Sequence, residues 1–229
     1  MKKFLLLAVM AIAGLSANAQ LVRGTTFVKK ESNTTWFLRA GMSMNNAAGK
    51  ATEMYNAGTK IGYDVSTGFQ KPIANSNMYW GMEFGLGTRG AKGHYDDYGA
   101  RSDMSLLAHN VKISPVTFGY KFNLTDNLKL DGHLGAFVSY DYIGTGKEDY
   151  TDSDISESES SSIYDLESYN GFDAGLQVGV GVWFNRFNLD FTYQRGFMNV
   201  SDDDDLVDDN DNQLKVFSSN FMIRLGVAF

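Results

Sequence analysis

A period of two runs through this sequence. Eight segments show, to differing degrees, apolar side chains at alternate positions, the spacing of a strand with one apolar face. They are residues 35–44, 60–70, 78–89, 109–122, 128–142, 172–184, 187–200 and 217–229. The third, for example, presents Met78, Trp80, Met82, Phe84 and Leu86, and the sixth Leu176, Val178, Val180, Val182 and Phe184. The alternate positions are polar or small. In the fourth segment the phase changes at Ser114-Pro115, with Val111 and Ile113 before the break and Val116, Phe118 and Tyr120 after it. Proline inside a strand predicts a bulge there.

Alternation suits two architectures. A soluble sandwich hides its apolar faces between two sheets. A membrane barrel turns them to lipid and keeps the polar face in its lumen. The connections discriminate. Residues 71–77, 123–127 and 185–186 are short links, and residues 45–59, 90–108, 143–171 and 201–213 are long ones, in strict alternation. Short periplasmic turns and long extracellular loops follow this rule in outer-membrane barrels. An even strand count then sets both termini on the periplasmic side. Trp36, Phe69, Trp80, Phe122, Phe184, Phe187 and Phe229 fall at the short-turn ends. Tyr63, Tyr140, Tyr142, Phe172, Phe197 and Phe217 fall toward the long loops. Two aromatic belts are expected where a barrel crosses the two interfaces. The expected fold is an all-β, transmembrane, antiparallel up-and-down barrel of eight strands. A strand pair hidden in residues 90–108 would make ten.

The N-terminal residues read as a targeting signal. Lys2 and Lys3 precede an apolar stretch to Leu15, too short to span a bilayer as a helix, and Ala17-Asn18-Ala19 is a cleavage site. Residues 1–19 are therefore expected to be a signal peptide cut after Ala19, residues 20–34 a short periplasmic segment, and residues 35–229 the barrel. Removing Lys2 and Lys3 takes the formal charge from −7 to −9, which argues against nucleic acid as a partner. The chain has no Cys, so neither a lipid anchor at the cut nor disulfides are expected.

Phase sets a group of charged residues on the polar face. Arg39, Asp64, Glu83, Lys112, Asp131, His133, Asp190 and Arg224 are expected to form a lumen network, because buried charges must pair or be hydrated. An eight-stranded barrel is just wide enough for side chains to fill it. A small hydrated pore is the alternative. Two acidic tracts, EDYTDSDISESESSS (148–162) and SDDDDLVDDNDN (201–212), read as solvated extracellular loops. The second lacks the Gly and final Glu of an EF-hand loop, so no metal site is expected. His133 shares a face with Asp131, but Ser139 lies six residues on, ~20 Å along a strand, and no G-x-S-x-G elbow occurs. No enzyme activity and no cofactor are expected.

Asn170-Gly171-Phe172-Asp173-Ala174-Gly175-Leu176, with Gly179 and Gly181, resembles the penultimate hairpin of the outer-membrane β-barrel domain family of Bacteroidota, the PorT-like "porin family". Leu189, Asp190, Tyr193, Gly196-Phe197 and Asn199 are similar to that family's Tyr-x-x-Gly-Leu-x-Asn pattern. Ser114 interrupts the family's Ile-Pro strand motif between Ile113 and Pro115. The resemblance implies an eight-stranded barrel and supplies no catalytic residues. Phe221, Ile223, Leu225, Val227 and Phe229 resemble the C-terminal signal read by the outer-membrane assembly machinery. The expected partners are that machinery, outer-membrane lipid and lipopolysaccharide. The expected role is structural or surface-binding, with a narrow solute channel or a lipid-modifying barrel enzyme as alternatives.

Overall fold

A computed structural model describes residues 34–229 except 51, 53–55, 74–75, 98–99, 153–154, 166–168 and 202–212. The expected signal peptide, residues 20–33 and the acidic tract 202–212 lie outside the described residues. Among the described residues nine strands form one sheet: β1 (Thr35–Ala48), β2 (Lys60–Pro72), β3 (Met78–Asp97), β4 (Ala100–Asn123), β5 (Leu128–Asp152), β6 (Ile155–Ser162), β7 (Phe172–Phe184), β8 (Phe187–Gly196) and β9 (Phe217–Ala228). All pairings are antiparallel, in the order β4-β3-β2-β1-β9-β8-β7-β5, and β4 also pairs with β5, so these eight strands form a closed ring whose first and last strands meet at β1–β9. β6 stands outside the ring and, among the described residues, pairs with the outer part of β5, Thr145 to Asp152.

The faces follow the phase of the sequence, and they are inverted relative to a water-soluble protein. Outward side chains are apolar and bare: Leu225 is 70% exposed, Val180 61% and Leu134 60%. Inward ones are largely polar and buried: Asp190 is 0% exposed, and Asp64 and Arg224 are each 1%. A soluble sandwich, or a soluble barrel with an apolar interior, would show the opposite arrangement. A bare apolar band around a closed ring is the solution lipid demands, because closure pairs every strand edge. At the short-turn end the aromatic side chains meet one another: the Trp36 and Phe69 rings lie 5.4 Å apart and Phe69 and Trp80 5.3 Å. Tyr140, Tyr142, Phe172 and Phe197 are exposed near the other end.

Two local features follow directly from the sequence. The register skips between Ile113 and Val116 against β5, and between Gly81 and Glu83 of β3 against β4, so Ser114-Pro115 is a bulge. The bulge turns Val116 and Phe118 outward after Val111 and Ile113. The two-residue link between β7 and β8 turns at Asn185, whose φ of 52° is left-handed, a conformation Asn tolerates well.

The long connections differ from expectation. The alternation predicts a loop or a hidden strand pair over residues 90–108; instead β3 and β4 simply continue, paired from Gly90↔Leu107 out to Asp97↔Ala100. Much of 143–171, including most of the first acidic tract, is the upper part of β5 and β6. The boundary of the seventh expected segment also moves inward, since β8 ends at Gly196 rather than at 200. The apolar alternation that marks a strand arises where one face meets lipid. Beyond the bilayer both faces meet water, and the ladder of backbone hydrogen bonds holds the strand without that signature.

Candidate functional site: the charged lumen

The inward side chains form three tiers. The middle tier is centred on Arg224 of β9. Its Nη1 donates to Asp64 Oδ1 (3.0 Å), Glu83 Oε1 (2.5 Å) and Ser66 Oγ (3.3 Å). Its Nη2 donates to Asp190 Oδ1 (2.7 Å) and Thr192 Oγ1 (3.1 Å), and its Nε donates to Asp190 Oδ1 (3.1 Å). One guanidinium thus ties β9 to β2, β3 and β8. The planar, five-donor fork of arginine suits this role; a lysine offers only a point charge. Arg39 of β1 reinforces it, donating to Glu83 Oε2 (3.1 Å) and Asn188 Oδ1 (3.0 Å) with Asp190 Oδ2 at 3.7 Å. Lys112 of β4 closes the tier, its Nζ 2.5 Å from Asp64 Oδ2. Three cations therefore face three carboxylates, which is the balance that buried ions require.

His133 joins this tier weakly, with Nε2 3.3 Å from Thr192 Oγ1 and 3.7 Å from Asp190 Oδ2. Asp131, the eighth expected residue, stands apart in a lower tier near the short turns. It accepts from Tyr79 OH (2.9 and 3.1 Å to its two oxygens) and from Trp183 Nε1 (3.0 Å). Lys121 Nζ lies over the Trp183 ring at 4.5 Å and over Tyr79 at 5.2 Å. Tyr79 reaches Asp131 because its register partner is Gly119: a Cβ there would sit 2.4 Å from the phenol ring. Removing the hydroxyl in Tyr79→Phe strips Asp131 of one of its donors, and a loss of about 1–3 kcal/mol is expected, read as a lower urea midpoint in lipid vesicles.

The upper tier goes beyond the eight residues expected from the sequence. Arg89 of β3 donates to Asp141 Oδ2 from Nη2 (2.6 Å) and Nε (2.9 Å), with Asp173 Oδ2 3.3 Å from Nη1. Tyr169 OH also donates to Asp141, and Ser218 Oγ donates to Asp173. Burial pushes the Tyr169 phenol well above its usual value. The signal for this tier is in the phase: Arg89 and Asp141 share the parity of Glu83 and Asp131. Both sit at the margin of the apolar alternation, where inward and loop positions look alike.

The tiers leave little space. Two internal cavities flank the Arg224 layer, one beside Arg39, Tyr79 and His133 and one beside Asp64, Lys112 and Asn220, each of about 10 Å³. That is about the room one water needs. The hydroxyl within reach of His133 is that of Thr192, which is fully buried and already bonded to Asp190 at 2.8 Å. Among the described residues, no group of three or more His, Asp or Glu is placed to hold a metal ion.

A closed antiparallel ring, apolar outside and ion-paired inside, is a transmembrane β-barrel. Residues 18–202 match the family described as outer membrane protein beta-barrel domain, and the chain belongs to that family. No curated protein matches the sequence. Solved structures similar to it include Ail, the attachment invasion locus protein of Yersinia pestis, at 18% identity over 86% of this chain and 99% of that chain, TM-score 0.35. Neisserial surface protein A matches at 15% identity over 85% and 97%, TM-score 0.39. A major outer membrane protein from Thermus thermophilus matches at 12% identity over 86% and 99%, TM-score 0.40.

Proposed function

We propose that this protein is a structural or surface-interaction barrel of the outer membrane whose lumen is filled by side chains and does not conduct solutes. The observation that supports this reading is Arg224, which meets carboxylates from three other strands and so ties the lumen walls together at one level. A pore would need those charges lining a water column instead of bonding to one another. The network Arg39, Asp64, Glu83, Lys112, Asp190 and Arg224 then serves to hold the barrel together, with Asp131 and His133 in supporting positions, and carries no catalytic role.

The same reading assigns outer-membrane lipid and lipopolysaccharide as the surroundings of the apolar band. It assigns export to residues 1–19, with cleavage after Ala19. Phe221, Ile223, Leu225, Val227 and Phe229, on the outward face of β9 and at its end, would be the residues met by the assembly machinery. The hairpin motifs of residues 170–199 support membership of the PorT-like group of Bacteroidota.

Planar-bilayer recording on purified full-length protein tests the closed lumen. The expected result is a baseline without discrete openings across the voltage range. Stepwise single-channel currents that recur in every preparation would establish a narrow channel and end this proposal.

A further inference from the structure

Above the lumen, β3, β4, β5 and β6 continue as a four-stranded sheet. Cross-strand register fixes which side chains share a face. One row runs Gly93, Met104, Glu148, Glu159, and the next outward runs Tyr95, Ser102, Tyr150, Glu157. Ser102 Oγ donates to Glu148 Oε1 at 2.8 Å, which sets both rows on one side. This side borders a cleft of about 430 Å³, a size that suits a small organic ligand. Ala47, Ala57, Ala91, Leu106 and Val216 make much of its wall small and apolar.

Two carboxylates, Glu148 and Glu159, line the cleft from this side. Glu148 and Glu159 stand directly opposite each other across β5 and β6, a like-charge pair that destabilises a sheet. Above Arg89, whose guanidinium is held by Asp141 and Asp173, no Lys or Arg of the described residues of these four strands shares their face by register. Lys92 and Lys147 border the cleft, but their row, with Ser105 and Ser160, belongs to the opposite face. Arg101 is also on that opposite face, where its hydrogen bonds hold the Asp103 carboxyl below the ordinary aspartate value.

We propose that this cleft binds a small amphiphilic cation, an ammonium group on an aromatic or aliphatic body. The ammonium lies between Glu148 and Glu159 and relieves their repulsion. The body rests on Met104 and Leu106, with Tyr95 and Tyr150 exposed toward the rim. A bare metal ion is disfavoured, because it would need more oxygen ligands than two carboxylates over an apolar wall provide. The site lies outside the three lumen tiers and is independent of whether the lumen conducts.

The test is calorimetric titration of the full chain in lipid nanodiscs with tryptamine and with tryptophol, its uncharged counterpart. Tryptamine is expected to bind saturably, at least tenfold more tightly than tryptophol, and more weakly as salt rises. Glu148→Gln and Glu159→Gln should each lower its affinity several-fold, and the double variant should erase the preference for the cation. Asp149→Asn, on the opposite face, should leave binding unchanged. Removing the like-charge pair leaves the fold intact, so circular dichroism should not move. The proposal is overturned by no saturable binding into the millimolar range, by equal affinity for the two probes, or by a double variant that still prefers tryptamine. Calcium binding more tightly at the same site and displacing tryptamine would also overturn it.

Discussion

Arg224→Met is expected to produce the largest loss of stability of any single lumen substitution, at least about 3–5 kcal/mol. The side chain is 1% exposed and makes six hydrogen bonds of 3.3 Å or less to Asp64, Ser66, Glu83, Asp190 and Thr192. Methionine keeps most of the apolar stem, so the loss is chiefly electrostatic. It leaves three carboxylates facing only Arg39 and Lys112, and an uncompensated buried charge costs more than the pair itself contributed. Arg224→Lys keeps the charge but cannot reach three carboxylates in a fixed plane, and should fall between wild type and Arg224→Met. Neutralising the partners as well, in Arg224→Met combined with Glu83→Gln and Asp190→Asn, should recover much of the loss, because fewer ions are then stranded. Urea unfolding in lipid vesicles measures all three. A single Arg224→Met variant within about 0.5 kcal/mol of wild type would show that the tier is not what holds the lumen.

Gly41→Val is expected to have the second largest effect, for a steric reason. Gly41 lies inward on β1, opposite Arg224 across the seam that closes the ring. A Cβ at Gly41 would meet the Ile223 carbonyl oxygen at 1.9 Å and the Arg224 Cα at 2.6 Å. These are backbone atoms and cannot swing aside, so β1 and β9 must separate or slip. A slip of one residue would turn every side chain of the strand to the wrong face. A loss of about 3 kcal/mol or more is expected, with a reduced fraction of the compact band in unheated gel electrophoresis. Ala40→Val, one residue away on the lipid side, should be tolerated within about 0.5 kcal/mol. Equal behaviour of the two variants would contradict the register of the seam.

The sequence carried the eight strands of the ring because lipid imposes a face-by-face contrast that survives as a period of two. It carried the Ser114-Pro115 bulge because a change of phase at a proline has few other causes. It carried the membership of the middle tier, since parity alone sorts Arg39, Asp64, Glu83, Lys112, Asp190 and Arg224 inward. What it could not carry was the pairing. Arg224 and Asp64 are 160 residues apart and meet only because β1 joins β9 and the ring closes. The same holds for Arg89 and Asp141, whose parity and places at the ends of the third and fifth segments were legible but whose pairing was not. β6 left no trace: Ser and Glu alternate there without an apolar face, and only its ladder with β5 defines it.

The wild-type chain has no Cys, so single nitroxide labels can be placed without background. The measurement that bears most directly on the membrane barrel is collisional accessibility of labels at Leu134→Cys, Val138→Cys and Val180→Cys in lipid vesicles, with oxygen as the lipid-soluble relaxer and a nickel chelate as the water-soluble one. All three positions point outward and are exposed. High oxygen and low nickel collision rates at each are expected of a band immersed in hydrocarbon. Nickel rates at or above the oxygen rates at these positions would mean that the apolar face meets water, and the membrane-spanning account would be wrong.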